Sequence, residues 1–337
     1  MPFPILNELL ARVPESNRAA HPLTSLAHAT DVQGERRAWQ SEDALARARN
    51  LFPDYAKEKE RLLVAERQSR NASGILGEFR ALGELSYVFG SNIQTPKSGS
   101  DFLVTVGDRQ LRVEVTTSAG STKNTLLDSE TRQIGNVRVR TTSTAPFGYP
   151  TEDKPQDRIQ GNAVSRLSAL KQGEHQADLT IPTVLWVDFG NPHAFPISIG
   201  ASQAQPFLGG RESLVSGVLW WMNYGQKGDP IFDMWELTTA ERQFYALEFD
   251  ARFPKGSQFV GVVCAIDDQQ ILHENYLTGR QLSSDWIVEL LQLRGARLEN
   301  WWVDWPSRGN LSIRVELARA EAHALLAVRY PAHGTSS

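Results

Sequence analysis

The sequence predicts an α/β fold in which a mixed central β-sheet is flanked by helices and preceded by a helical N-terminal region. Residues 41–90 have a strongly helical pattern, whereas residues 101–106 and 111–117 form two short runs separated by a polar turn. The second run alternates apolar and polar side chains, which is typical of a strand, so the two runs predict a β-hairpin. A helical segment at 156–172 precedes the apolar, β-branched run 181–189, and this succession predicts a crossover within one sheet.

The N-terminal part of the chain is predicted to be helical along most of its length. Residues 1–40 indicate short helices punctuated by prolines, and the Ala-, Arg-, Glu- and Leu-rich stretch that follows contains Pro53, which must begin or break a helix. The sequence Asn-Ala-Ser-Gly at 71–74 predicts a boundary between helices, with Ser73 as the cap of the next one. That next helix, residues 75–89, carries a broad apolar stripe.

These patterns suggest three regions. We expect a helical N-terminal region over residues 1–74, an α/β core over residues 75–275 and a C-terminal α/β extension over residues 276–331. Residues 190–257 look like an insertion in the core, and the Trp-rich apolar segment 215–224 within it predicts a buried helix.

Net charge, cysteine content and the length of apolar runs limit the classes of protein to which this chain can belong. The formal net charge is -4, from 35 basic and 39 acidic side chains, which argues against a protein that coats nucleic acid but allows a local basic groove. The single cysteine, Cys264, lies in an apolar run, so we expect a buried thiol and no intramolecular disulfide. No apolar run approaches the ~18 residues that a membrane helix needs, and the first residues do not resemble a signal peptide, so we expect a cytoplasmic protein.

The hairpin carries a pair of carboxylates that suggests chemistry. Asp101 opens the first strand and Glu114 lies in the second, and we expect both to point to one side of the sheet. Mg²⁺ prefers carboxylate and water oxygens, and a bound metal ion lowers the pKa of its water and offsets charge on a reacting phosphate. Glu84 of the preceding helix is the predicted third carboxylate, whereas Glu78 of the same helix projects in a different direction. The structural alternatives are a turn cap for Asp101 and an exposed strand position for Glu114.

The motifs around these carboxylates resemble a known family. Ser98-Gly99-Ser100-Asp101-Phe102 is similar to the S-G-x-D-F form of the first motif of the P-D-(D/E)-x-K nuclease superfamily, and Val113-Glu114-Val115 is similar to the second. The likeness covers about residues 75–189, in the family's order of acidic helix, two motif strands, helix and strand. The resemblance implies a restriction-endonuclease-like core and a site for Mg²⁺ or Mn²⁺ built from Asp101, Glu114 and Glu84.

The chain departs from the family at one position. The motif lysine, which in the family orients the attacking water and steadies the charge of the transition state, is replaced by Thr116. Another lysine can reach the site on its flexible stem, with Lys97 and Lys123 nearest in sequence and Lys154 and Lys171 as further candidates. The alternative is that Thr116 positions a water and catalysis is slow or lost.

The resemblance implies a metal-dependent endonuclease that acts on DNA, with restriction or anti-phage defence as the role that the family analogy suggests. The candidate phosphate contacts are Lys123 and, on the predicted helix 156–172, Arg158, Arg166 and Lys171, although the face of that helix can equally be a solvated one. Cutting both strands commonly requires two sites, so we expect a homodimer and no membrane partner. The alternative function is a catalytically weak or inactive nuclease-fold module that binds nucleic acid or a protein partner.

Overall fold

The structure is a computed structural model. It describes residues 2–97, 99–118, 125–134, 137–145, 171, 180–189, 207–208, 214–215, 218–232, 244–266, 268–277, 281–298, 313, 315–317, 319–320 and 324. The chain divides into two compact units, of which the first holds residues 1–118, 173–190 and 256–337 and the second holds residues 119–172 and 191–255. Within the described ranges, no helix has the length and apolar character needed to cross a membrane.

Six helices open the first unit. They are α1 (Pro4–Arg12), α2 (Glu15–Arg18), α3 (Pro22–Ala27), α4 (Val32–Leu51), α5 (Pro53–Ala65) and α6 (Ser69–Phe89). Proline stands in the first turn of α1, α3 and α5, where its missing N–H costs no helical hydrogen bond. Asp31 caps α4 by accepting a hydrogen bond from the backbone N–H of Gly34. The predicted helical N-terminal part is therefore confirmed.

The start of α6 differs from the sequence-based expectation. The helix begins at Ser69 and runs through residues 71–74 without a break, so the predicted boundary there is wrong. Gly74 sits inside the helix with open space around it, and one glycine costs a helix only about 1 kcal/mol. Packing of the apolar stripe outweighs that penalty. Gly90, with φ 52, ends the helix.

The helices accompany a seven-stranded mixed sheet. Its strands are β1 (Ile93–Gln94), β2 (Phe102–Val106), β3 (Arg109–Thr117), β6 (Thr183–Asp188), β11 (Gly261–Ile266), β12 (Gln269–Glu274) and β13 (Ala296–Leu298). The spatial order is β1-β2-β3-β6-β11-β12-β13. Strands β1, β2 and β3 are antiparallel neighbours, β3, β6 and β11 run parallel, and β12 returns antiparallel to β11. The α/β class, the hairpin and the strand predicted at 181–189 are confirmed, and α8 (Ser284–Leu290) follows β12.

Contacts between α6 and the sheet show which side chains of β3 face the helices. Gly77 of α6 lies so close to β3 that an added Cβ would meet the Oγ1 of Thr117 at 1.9 Å. The ring of Phe102, paired with Val113, likewise lies 6.0 Å from the Tyr55 ring of α5. Since side chains alternate along a strand, the odd-numbered residues of β3 face the helices and the even-numbered ones face the other side.

The second unit contains short strand pairs and one described helix. Its elements are β4 (Thr125–Ile134), β5 (Val137–Ala145), β7 (Phe207–Leu208), β8 (Leu214–Val215), α7 (Val218–Tyr224), β9 (Pro230–Phe232) and β10 (Phe244–Ala246). The antiparallel pairs are β4–β5, β7–β8 and β9–β10. Residues 118–155, whose sequence predicts a loop interrupted by a strand at 137–141, instead contain the long hairpin β4–β5. The predicted buried Trp-rich helix is confirmed by α7, in which Trp220 and Trp221 are buried. The helix predicted over 156–172 lies outside the described residues except for Lys171, a turn residue with φ 49.

Candidate functional site

Asp101 is held at the end of the hairpin by a backbone hydrogen bond. It directly precedes β2, and its Oδ2 accepts a hydrogen bond of 2.7 Å from the N–H of Val115. Phe102 pairs with Val113 in the antiparallel register, so Asp101 lies opposite Glu114 when that register is continued by one residue. The Asp101 carboxylate thus accepts a backbone N–H of β3 that would otherwise bond to a neighbouring strand. This contact differs from the turn cap that was the structural alternative for Asp101.

Glu114 is enclosed in the structure. Only 1% of it is exposed, so the alternative of a solvated strand position is wrong. By strand alternation, it projects from the face of the sheet opposite α6, together with Thr116 two residues later. Thr116 is half-buried and pairs with Val187 of β6. Thr116, at the position where the resemblance expects a lysine, therefore lies on the same face as Glu114.

Glu84 does not join Asp101 and Glu114. It accepts hydrogen bonds from Arg294, including one of 3.0 Å between Nε and Oε2. It also lines a small cavity with Trp186, which pairs with Val115 and so faces the helices. Glu84 thus lies on the helix side of the sheet whereas Glu114 points to the other side. The prediction that Glu84 completes the metal site is corrected, because the rotation of α6 turns its carboxylate toward Arg294.

A second carboxylate of α6 contacts helix α5. Glu78 accepts a hydrogen bond of 3.0 Å from the Tyr55 hydroxyl and forms an ion pair with Lys59. Burial, and then the charges of Glu78 and Asp101, raise the pKa of Tyr55. The Tyr55 ring in turn lies edge-on to Phe102, the residue after Asp101. Tyr55, Lys59, Glu78 and Asp101 therefore share one neighbourhood, which we call the α5–α6 corner.

The sequence did not predict most of the residues of this corner. It favoured Glu84 over Glu78, and neither Tyr55 nor Lys59 lies in a recognisable motif. One usable signal was present, since Tyr55 and Lys59 are four residues apart on α5 and such positions share a helix face. Nothing in the sequence indicated that this face meets α6 and the start of β2.

Most of the predicted basic residues lie outside the described part of the chain. Lys97 is exposed in the segment before Asp101, and no ion pair links it to another described residue. Lys171 belongs to the second unit. Lys123, Lys154, Arg158 and Arg166 lie outside the described residues. The proposed phosphate contacts of the crossover helix therefore stay predictions.

The sheet ends in a buried ion cluster beside the corner. Asp188, the last residue of β6, accepts hydrogen bonds from Arg80 at 3.0 and 2.6 Å and from Arg37 at 3.0 and 3.2 Å. All three residues are buried. Burial opposes ionisation, but the two guanidinium groups prevail and lower the pKa of Asp188. Asp188 pairs with Thr117 of β3, so the cluster fixes α4 and α6 against the carboxyl ends of β3 and β6.

The described part of the chain holds few donor side chains that could bind one metal ion together. In that part of the chain, no three His, Cys, Asp or Glu side chains converge as a ready metal centre. Asp101, which precedes β2, lies opposite Glu114 of β3 when the hairpin register is continued by one residue, whereas Glu78 lies on the helix side of the sheet. Carboxylate oxygens are the donors that Mg²⁺ and Mn²⁺ favour, so the residue types fit such an ion.

Comparison with known proteins adds no relative. No protein-family model matches the chain, and no curated protein and no solved structure is significantly similar to it.

Proposed function

We propose that this chain is a divalent-metal-dependent endonuclease that hydrolyses phosphodiester bonds of DNA. The observation that carries the proposal is the seating of Asp101 against the backbone of Val115, directly beside Glu114. The order of α6, the hairpin β2–β3 and the parallel strand β6 supports a restriction-endonuclease-like core, since the family has the same order of helix, motif strands and following strand. A role in restriction or anti-phage defence, and a homodimer that cuts both strands, follow from the family analogy alone.

The residues that would hold Mg²⁺ or Mn²⁺ are the hairpin carboxylates Asp101 and Glu114. When bound, such an ion lowers the pKa of a coordinated water and offsets charge on the phosphate. The Val115 N–H orients the Asp101 carboxylate, so little reorganisation is needed on binding. Burial of Glu114 strengthens its electrostatic interactions because water no longer screens them. Thr116, on the Glu114 face, contributes a hydroxyl that can orient a water molecule.

Cleavage of supercoiled plasmid in Mg²⁺, in Mn²⁺ and in EDTA tests this proposal. Asp101→Asn and Glu114→Gln are each expected to slow metal-dependent cutting by at least about 100-fold, because each removes an anionic ligand. Asp108→Asn, in the exposed β2–β3 turn, and Glu84→Gln are the matched controls and are expected to cut at nearly the original rate. Melting temperatures establish that each variant is folded. Cutting that persists in EDTA or in the Asp101 and Glu114 variants contradicts the proposal.

A second candidate function is a nuclease-fold module that binds nucleic acid or a protein partner without cutting. Thr116 favours it, because the position of the motif lysine carries no charge. The same plasmid series separates the two functions, since a binding module shifts DNA in a gel equally with and without metal and leaves the plasmid intact. The salt dependence of that shift counts the phosphate contacts.

A further inference from the structure

A small cavity lies in the first unit between the sheet and helices α4 and α6. Its floor is a row across the sheet, because Ala265 of β11 pairs with Asp188 of β6 on one side and with Gln270 of β12 on the other. Trp186 lies two residues before Asp188 on β6 and therefore on the same face. Since Ala265 carries only a methyl group, the row leaves space below the helices. The side chains that cover this space are Arg37 and Gln40 of α4 and Arg80 and Glu84 of α6.

Two buried polar atoms of the cavity lining have no hydrogen-bond partner among the described residues. They are the indole Nε1 of Trp186 and the amide Oε1 of Gln270. Only 1% of Trp186 and 3% of Gln270 are exposed, so bulk solvent does not supply the missing bonds. Buried polar groups in folded proteins are almost always bonded to protein or to ordered water. Because one atom is a donor and the other an acceptor, a molecule that both accepts and donates a hydrogen bond satisfies the two together.

The volume and the charge of the cavity limit what it can hold. Its volume is about 10 Å³, and one water molecule needs roughly 10–15 Å³. Two cationic and two anionic side chains belong to the lining. Each of them already has an ionic partner, since Arg37 and Arg80 bond to Asp188 and Arg294 bonds to Glu84. A small neutral molecule therefore fits this cavity better than an ion does.

We propose that the cavity is a binding site for one water molecule, which accepts a hydrogen bond from the Nε1–H of Trp186 and donates one to Oε1 of Gln270. The water links β6 to β12 across β11, and it gives each buried polar atom the partner that the protein does not provide. The site lies on the helix side of the sheet, whereas Glu114 projects from the opposite face. The inference is therefore independent of the proposed nuclease function.

Nuclear magnetic resonance of the chain labelled with [15N]tryptophan is the first test. Trp186→Phe identifies the indole signal of Trp186. In the unmodified chain that proton is expected to show a cross-peak to water, with opposite signs in NOE and ROE spectra, which distinguishes a bound water from hydrogen exchange. Trp221 is the matched control, since it is 0% exposed but its Nε1–H donates to the backbone oxygen of Asp229 at 3.3 Å. A Trp186 proton that shows no more water contact than the Trp221 proton overturns the inference.

Removal of the acceptor tests whether the water bridges the two strands. Gln270→Leu keeps a side chain of similar size and is expected to abolish the water cross-peak of the Trp186 proton. The same substitution at Gln110, an exposed position of β3, is expected to leave the cross-peak unchanged. Melting temperatures establish that both variants are folded, and if Gln270→Leu does not fold, the cross-peak of the unmodified chain still decides. A cross-peak that persists at full intensity in folded Gln270→Leu shows a water that does not bridge, and it overturns the inference.

Discussion

His273 shows what burial does to a single side chain. It lies in β12 with 0% of its surface exposed, and burial lowers its pKa to about 3. A histidine in the unfolded chain has a pKa near ~6.5, so between that pH and the lowered pKa of His273 the unfolded chain binds a proton and the folded chain does not. His273 therefore favours unfolding as acid is added.

The expected consequence is a pH-dependent free energy of unfolding. Below pH ~6.5 it should fall by about 1.4 kcal/mol per pH unit on account of His273, reaching a loss of roughly 5 kcal/mol near pH 3. Urea titrations between pH 7 and pH 4 measure this slope. His273→Leu is expected to flatten it, whereas His28→Gln, an exposed histidine, should not. Burial also lowers the pKa of His21, which contributes to the pH dependence in the same direction. A pH slope that stays the same in His273→Leu contradicts its assignment to His273.

At the scale of elements, the contact between α6 and β3 is the one that positions the corner. Gly77 allows it, since an added Cβ would meet Thr117 Oγ1 at 1.9 Å and Asp188 Oδ2 at 3.1 Å. Gly83 allows a similarly close contact between α6 and α4, since a Cβ added at Gly83 would lie 2.6 Å from the Cβ of Ala44. These two glycines set how closely α6 packs against β3 and α4.

Two glycine substitutions in α6 are expected to have opposite effects. Gly77→Ala should lower the free energy of unfolding by about 1–3 kcal/mol, because the β-branched Thr117 cannot move its hydroxyl away cheaply. Gly74→Ala, in open space on the same helix, should raise it by up to about 1 kcal/mol through helix propensity. Chemical unfolding followed by circular dichroism measures both. A stabilising Gly77→Ala would refute the close approach.

At the scale of the whole molecule, the lone cysteine reports on the opening of the first unit. Cys264 lies in β11, between β6 and β12, and 0% of it is exposed. A thiol reagent can reach this position only when the central strands separate. Its labelling rate therefore measures the population of opened molecules.

Thiol labelling and stability are expected to change together. In native buffer the chain should react far more slowly than in denaturant, and Gly77→Ala should accelerate the native reaction by about 5- to 150-fold, the equivalent of 1–3 kcal/mol. Gly74→Ala should slow it. Labelling with dithionitrobenzoate, followed at 412 nm in the manner of ordinary thiol assays, gives the rates. Fast labelling of the native chain would show that β11 is accessible without unfolding.

The sequence by itself determined the α/β class, the hairpin β2–β3 and the two carboxylates on it. Periods of two and 3.6 residues and turn residues are local signals, and a tight hairpin brings Asp101 and Glu114 together almost independently of the rest of the chain. Of the long hairpin β4–β5, the sequence predicted only a strand over 137–141, which lies in β5, because β4 is too polar to show an apolar alternation.

The tertiary structure decided what surrounds those carboxylates. The partners of Glu78 and Glu84 depend on the rotation of α6, which close packing at Gly77 and Gly83 fixes. The Asp188 cluster joins Arg37 and Arg80 across 151 and 108 residues of sequence, and Lys59 of α5 pairs with Glu78 of α6. Such contacts depend on how separate elements pack against one another, and no local period or spacing encodes that packing.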